Sequence, residues 1–107
     1  MNSSRLEMLL QMLEDDTTDS FVRYALAKEY EYCGSDDMAI EHFNILMRND
    51  PDYVGLYYHL GKLYEKKEQN TLATDIYKQG ISVSKKIKDF HSLSELNTAL
   101  VNLELDI

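Results

Sequence analysis

Apolar residues recur at helical intervals along nearly the whole chain, in six blocks parted by polar breaks. The first block is Leu6, Leu9, Leu10 and Leu13. It opens at Ser4 and Glu7, which read as a capping box. The second is Leu26, Ala27 and Tyr30, and CGSDD (Cys33–Asp37) ends it. There Gly34 can take the left-handed conformation that closes a helix, and Ser35 can cap the next. The third is Ala39, Ile40, Phe43, Leu46 and Met47, stopping where Pro51 disfavours helix in Asp50. The fourth is Tyr57, Leu60, Gly61 and Tyr64, followed by a turn at Glu68–Asn70 with Asn70 as the cap. The fifth is Leu72, Ala73, Ile76, Tyr77 and Gly80. The sixth is Leu93, Leu96, Leu100 and Leu103, capped by Ser92 with Glu95 or, one turn earlier, by Asp89. The pattern predicts helices over 4–14, 20–33, 36–48, 53–67, 70–87 and 90–105. Connections this short make neighbouring helices antiparallel.

The blocks are not independent. YALAKEYEYCGSDDMAIEHF (Tyr24–Phe43) and YHLGKLYEKKEQNTLATDIY (Tyr58–Tyr77) are 34 residues apart. That shift pairs Tyr24 with Tyr58, Leu26 with Leu60, Lys28 with Lys62, Tyr30 with Tyr64, Glu31 with Glu65 and Ala39 with Ala73. Ala27 meets Gly61 and Phe43 meets Tyr77, so small replaces small and aromatic replaces aromatic. Small residues let two helices approach closely, and the aromatics fill the space beside the crossing. One helix pair cannot bury its stripe alone, so pairs stack and end helices cap the stack.

This period and these residue sizes resemble the tetratricopeptide repeat family. The carriers are Leu26-Ala27, Tyr30, Ala39, Phe43 and Pro51 in the first copy, and Leu60-Gly61, Tyr64, Ala73 and Tyr77 in the second. The resemblance implies an all-α fold, a short right-handed α-solenoid of about six helices. Repeat 1 is placed at 20–53 and repeat 2 at 54–87, with capping helices at 4–14 and 90–105. There are departures. Lys85 stands where the boundary proline would be, so the fifth helix can run on. Arg23 stands where a large apolar residue is usual, which puts it at the margin with its charge in water. The last helix does not continue the motif at 34-residue spacing.

Length and composition fit one soluble domain, 1–107, with 44% hydrophobic and 28% charged residues. The net charge of -8 argues against nucleic acid as partner. The excess sits in the first half: residues 1–53 hold 4 basic and 12 acidic residues, residues 54–107 hold 7 of each. Cys33 is the only cysteine, read as a small buried residue or an incidental thiol, and no internal disulfide can form. No apolar run spans a membrane and the start lacks a secretory signal, so the expected location is the cytoplasm.

No motif for catalysis, a metal or a cofactor is present, and the reading is a non-enzymatic protein. His42, His59 and His91 lack metal-ligand spacing and read as surface or half-buried residues. The resemblance implies a concave groove, lined by the first helix of each pair, that holds a peptide or helix of another protein. Tyr24 and Lys28 lie one turn apart, as do Tyr58 and Lys62, off the core stripe. These four are the candidate partner-binding residues, with Glu31, His59 and Glu65 at the groove edges. The lysine and asparagine clamp with which some family members grip the carboxylate tails of heat-shock chaperones is not matched, since the corresponding places hold Tyr24, Lys28 and His59. The alternative is a self-associating module that uses the terminal helices, including a homodimer through the C-terminal one.

Overall fold

The computed structural model describes residues 3–105. Among them are six helices: α1 (Ser4–Asp15), α2 (Ser20–Tyr32), α3 (Asp36–Asn49), α4 (Gly55–Lys66), α5 (Asn70–Ile87) and α6 (Phe90–Leu105). No strand occurs among the described residues. None of these helices is long and apolar enough to cross a membrane. The chain divides into two compact units, 1–53 and 54–107, and the division falls at the seam between the two sequence copies.

The caps explain the boundaries, correct two expectations and decide between two alternatives for α6. Ser3, not Ser4, begins α1: Ser3 is extended and its side chain accepts the Leu6 amide at 2.8 Å. Asp89 is the cap of α6, accepting the Ser92 amide at 3.0 Å, so Ser92 is not its cap. Asn70 is already helical, and Gln69 occupies the cap position of α5 without a side-chain bond. Ser35 sits at the α3 cap position and makes no side-chain bond either. Asp19 caps α2 through the Val22 amide at 3.0 Å. Gly34 takes φ +84°, and the Ser35 amide reaches back to the Tyr30 carbonyl at 2.8 Å, the closing bond of a left-handed helix end.

In unit 1, Leu6, Leu9 and Leu13 of α1 pack with Val22 and Leu26 of α2. Ala27, Ala39, Phe43 and Leu46 are also buried. Leu10 lies off this stripe and is exposed. Arg23 lies at the margin as expected, half-exposed, and its guanidinium is also engaged by the protein. Its Nη1 lies 3.0 Å from Nδ1 of His42, and its Nη2 donates to the Thr17 carbonyl at 3.3 Å. Because an arginine only donates, His42 accepts at Nδ1 and carries its proton on Nε2. Its ring also stacks on Tyr30, with centroids 5.5 Å apart. His42 is buried, and that burial, with Arg23 beside it, holds it below the usual histidine range, against the opposing pull of Glu41. Cys33 is exposed, so the buried reading fails for it.

In unit 2, Leu56, Tyr57, Leu60 and Leu63 of α4 pack with Ala73, Ile76 and Tyr77 of α5 and Leu96, Ala99 and Leu103 of α6. A methyl group on Gly61 would run into the Tyr77 ring. One on Gly80 would lie 2.6 Å from Tyr57 Cβ and 2.9 Å from Leu96 Cδ1. These two glycines therefore set how closely α5 approaches its neighbours. Leu72 is exposed, because Ala73, Ile76, Tyr77 and Gly80 define a stripe that turns away from it. As Lys85 allows, α5 runs on, to 18 residues against 14 in α3. The last helix thus starts late and falls out of the 34-residue register.

Candidate functional site

Each unit carries a hollow beside a first helix. In unit 1, α2 contributes Phe21, Tyr24, Ala25, Lys28, Glu29 and Tyr32, and α1 contributes Arg5; the hollow measures about 500 Å³. Tyr24 is held from below, its ring edge-on to Phe43 at 6.1 Å and tilted against Tyr53 at 5.1 Å. Burial, with Asp19 and Asp50 nearby, raises the Tyr53 hydroxyl above the usual tyrosine range, so it stays neutral. Lys28 Nζ sits 6.0 Å from the Tyr24 ring centroid, within reach of a cation–π contact. At one end Glu29 is buried and spoken for. Its Oε1 lies 3.2 Å from Arg5 Nε, and its Oε2 accepts from the Ser3 hydroxyl at 3.1 Å.

In unit 2, α4 contributes Tyr58 and Lys62, and α6 contributes His91, Ser94, Glu95, Thr98, Ala99 and Asn102; this hollow measures about 260 Å³. Lys62 Nζ sits 5.6 Å from the Tyr58 centroid, the same one-turn geometry as in unit 1. Here the lysine has a second partner, Glu65 Oε2 at 3.7 Å. Glu65 also accepts the hydroxyl of buried Tyr77. Burial first, then the hydrogen bond and charge of Glu65, push that hydroxyl well above the usual tyrosine range.

Of the seven candidate residues, Tyr24 and Lys28 line one hollow, and Tyr58 and Lys62 the other. Glu31, His59 and Glu65 line neither. His59 stands edge-on to Tyr58 at 5.6 Å, and Glu65 is drawn inward by Tyr77. The sequence reading missed Arg5 and Glu29, because nothing in the spacing marks a buried carboxylate. The polar face of α6 is also hidden at a 34-residue period, because the longer α5 shifts that helix by two positions. Among the described residues, no group of three His, Cys, Asp or Glu side chains could hold a metal ion.

These features define a helix-turn-helix repeat protein with paired tyrosine and lysine on the first helix of each pair. A family model described as tetratricopeptide repeat matches residues 54–87, the second copy. A crystal structure of a tetratricopeptide repeat domain protein from Salinibacter ruber is 45% identical over 80% of this chain and 96% of that one, with a TM-score of 0.78. The chain belongs to the tetratricopeptide repeat family, whose repeats are in general protein-interaction modules. Two more distant structures share the fold. One is the solution structure of a protein from Bordetella parapertussis, 24% identical over 99% of this chain and 91% of that one, TM-score 0.83. The other is a crystal structure of MamA, 21% identical over 94% of this chain and 61% of that one, TM-score 0.72. A comparison with curated proteins gives no match.

Proposed function

We propose that this chain is a non-enzymatic adaptor that binds another protein through the tyrosine–lysine face of α2 in one unit and that of α4 in the other. One observation carries the reading: in both units a lysine ammonium lies over the ring of the tyrosine one turn before it, on the wall of a hollow. A tyrosine offers an apolar ring and a hydroxyl, and the lysine adds a positive head. Together they suit a segment that alternates apolar and acidic side chains. The ring also holds the lysine stem in place, which lowers the ordering cost of binding.

The test is capture of proteins from source-cell lysate by the wild type beside Lys28→Glu/Lys62→Glu. The expected outcome is a protein retained by the wild type and lost by the double variant, with equal helicity in both. Equal retention by both would move the binding surface away from these faces.

A further inference from the structure

We propose, resting on the reading that these hollows are binding surfaces, that the hollow of unit 1 is the seat of helix α6 from a second copy of this chain. Copies then associate head to tail. Three observations carry this.

The first is register. Compared with α4 at a spacing of 36 rather than 34, α6 becomes a third first helix: Leu60 falls on Leu96 and Leu63 on Ala99, all buried. The corresponding α2 positions, Leu26 and Glu29, are buried too.

The second is the shape of the two hollows. In unit 2, the α6 wall is His91, Ser94, Glu95, Thr98, Ala99 and Asn102. Moved back 70 residues, these positions become Phe21, Tyr24, Ala25, Lys28, Glu29 and Tyr32, which are the α2 wall of unit 1. The hollows are thus the same place in the repeat. In unit 2 the opposite wall is another first helix, α4, and about 260 Å³ remains. Within unit 1 the opposite wall is Arg5 alone among the described residues, and about 500 Å³ remains. Among the described residues of unit 1, no first helix forms that wall.

The third is that α6 is such a helix with apolar surface uncovered. Phe90, Val101 and Leu105 share one side of it and are 68%, 51% and 78% exposed. The unit 1 wall is uncovered as well, with Phe21 67% and Tyr32 86% exposed. The charges complement each other: Glu104 adjoins the apolar side of α6, and Lys28 projects at the hollow. This surface differs from the seam expected from sequence, since Leu96 and Leu103 are buried in their own unit. The interface is heterologous, so each added copy leaves one hollow and one α6 free, and growth continues beyond a dimer.

Sedimentation of the purified chain over a wide concentration range tests this, with two variants at exposed positions: Val101→Glu/Leu105→Glu on α6, and Phe21→Glu/Tyr32→Glu in the hollow. Circular dichroism confirms that each stays helical; if a double variant does not, Leu105→Glu and Tyr32→Glu replace them. The wild type should form species larger than a dimer as concentration rises. Each variant alone should lose all species above monomer. Mixed in equal amounts, they should give a dimer and nothing larger, because one intact hollow meets one intact α6. A wild type that stays monomeric throughout overturns the proposal, as does a hollow variant that still dimerises by itself. A monomeric wild type whose lysate partner is nonetheless lost in Lys28→Glu/Lys62→Glu would overturn the head-to-tail contact and leave the adaptor reading standing.

Discussion

The two units solve one packing problem with different chemistry. At the crossing of the paired helices unit 1 has Ala27, while unit 2 has Gly61 with the Tyr77 ring over it. Unit 1 buries a carboxylate and an imidazole, Glu29 and His42, whereas unit 2 buries the phenols of Tyr57 and Tyr77 and also Ser84, whose hydroxyl bonds the Gly80 carbonyl at 2.8 Å. At the turn inside each pair, unit 1 uses a glycine and unit 2 a glutamate in the same left-handed conformation: Gly34 at φ +84° and Glu68 at φ +60°. The repeat fixes where a side chain must be small, large or left-handed. It leaves open which residue meets that demand, and the cost of each choice can be measured.

The largest difference should appear at the crossing. Gly61→Ala places a methyl group in the Tyr77 ring, and overpacking of this kind costs about 2 kcal/mol even after the better helix propensity of alanine. Ala27→Gly in unit 1 should cost nearer 1 kcal/mol, since it removes one methyl group and loosens the helix. Urea unfolding of both variants measures the contrast. Tyr77→Leu in the Gly61→Ala background should cost less than the two changes summed, as expected of groups in contact. Strict additivity would show that the ring is not what excludes the methyl group.

The buried titratable groups should make the units fail at opposite ends of the pH scale. His42 is held below its unfolded value by burial and Arg23. The unfolded chain therefore binds the extra proton first. That stability is present above about pH 6.5 and is lost as pH falls through the folded value, at no more than roughly 1.4 kcal/mol per pH unit. Tyr77 is held above its unfolded value, so its contribution is present below about pH 10 and is lost as pH rises further. Hydrogen exchange followed by segment should show α2 and α3 loosening first in acid, and α4 and α5 first in alkali. His42→Gln should flatten the acid limb; an unchanged limb would mean that another group governs it.

Exchanging the turn residues should give effects of about 1 kcal/mol and opposite sign, because a side chain in the left-handed region is disfavoured by that much. A methyl group added at Gly34 meets nothing within 4 Å, so Gly34→Ala reports backbone conformation alone and should destabilise. Glu68→Gly should stabilise. Thermal midpoints of both variants read the difference directly.

These contrasts also mark what could be read from the sequence. Helix positions, the small–aromatic crossing and the tyrosine–lysine pairs follow from size and period, which local physics imposes on every copy. Glu29, His42 and Arg23 do not, because their partners come from other helices: Ser3 and Arg5 from outside α2, and an arginine 19 residues from its histidine. The cap at Ser3 rather than Ser4 is not legible either, because a run of two serines leaves either able to start the helix, and only backbone geometry chooses between them. The role of α6 was hidden by the longer α5, which moves the motif by two positions and breaks a comparison at fixed period.

The smallest effect concerns the two lysines themselves. Lys28 has the ring of Tyr24, while Lys62 has the ring of Tyr58 and also Glu65. Partly exposed pairs of this kind are worth about 0.5 kcal/mol and weaken with salt. Lys62→Met should therefore destabilise slightly more than Lys28→Met, and the gap should close as salt is added. Binding should rank them the other way. An acidic segment arriving at Lys62 must compete with Glu65, which the Tyr77 hydroxyl already holds in place, whereas at Lys28 it meets a cation engaged by the Tyr24 ring. Lys28→Glu alone should then weaken partner capture more than Lys62→Glu alone, and Glu65→Gln should strengthen capture at the second site. If the two lysine variants weaken capture equally, and Glu65→Gln changes nothing, Glu65 does not restrain Lys62 and the units are equivalent at their binding faces.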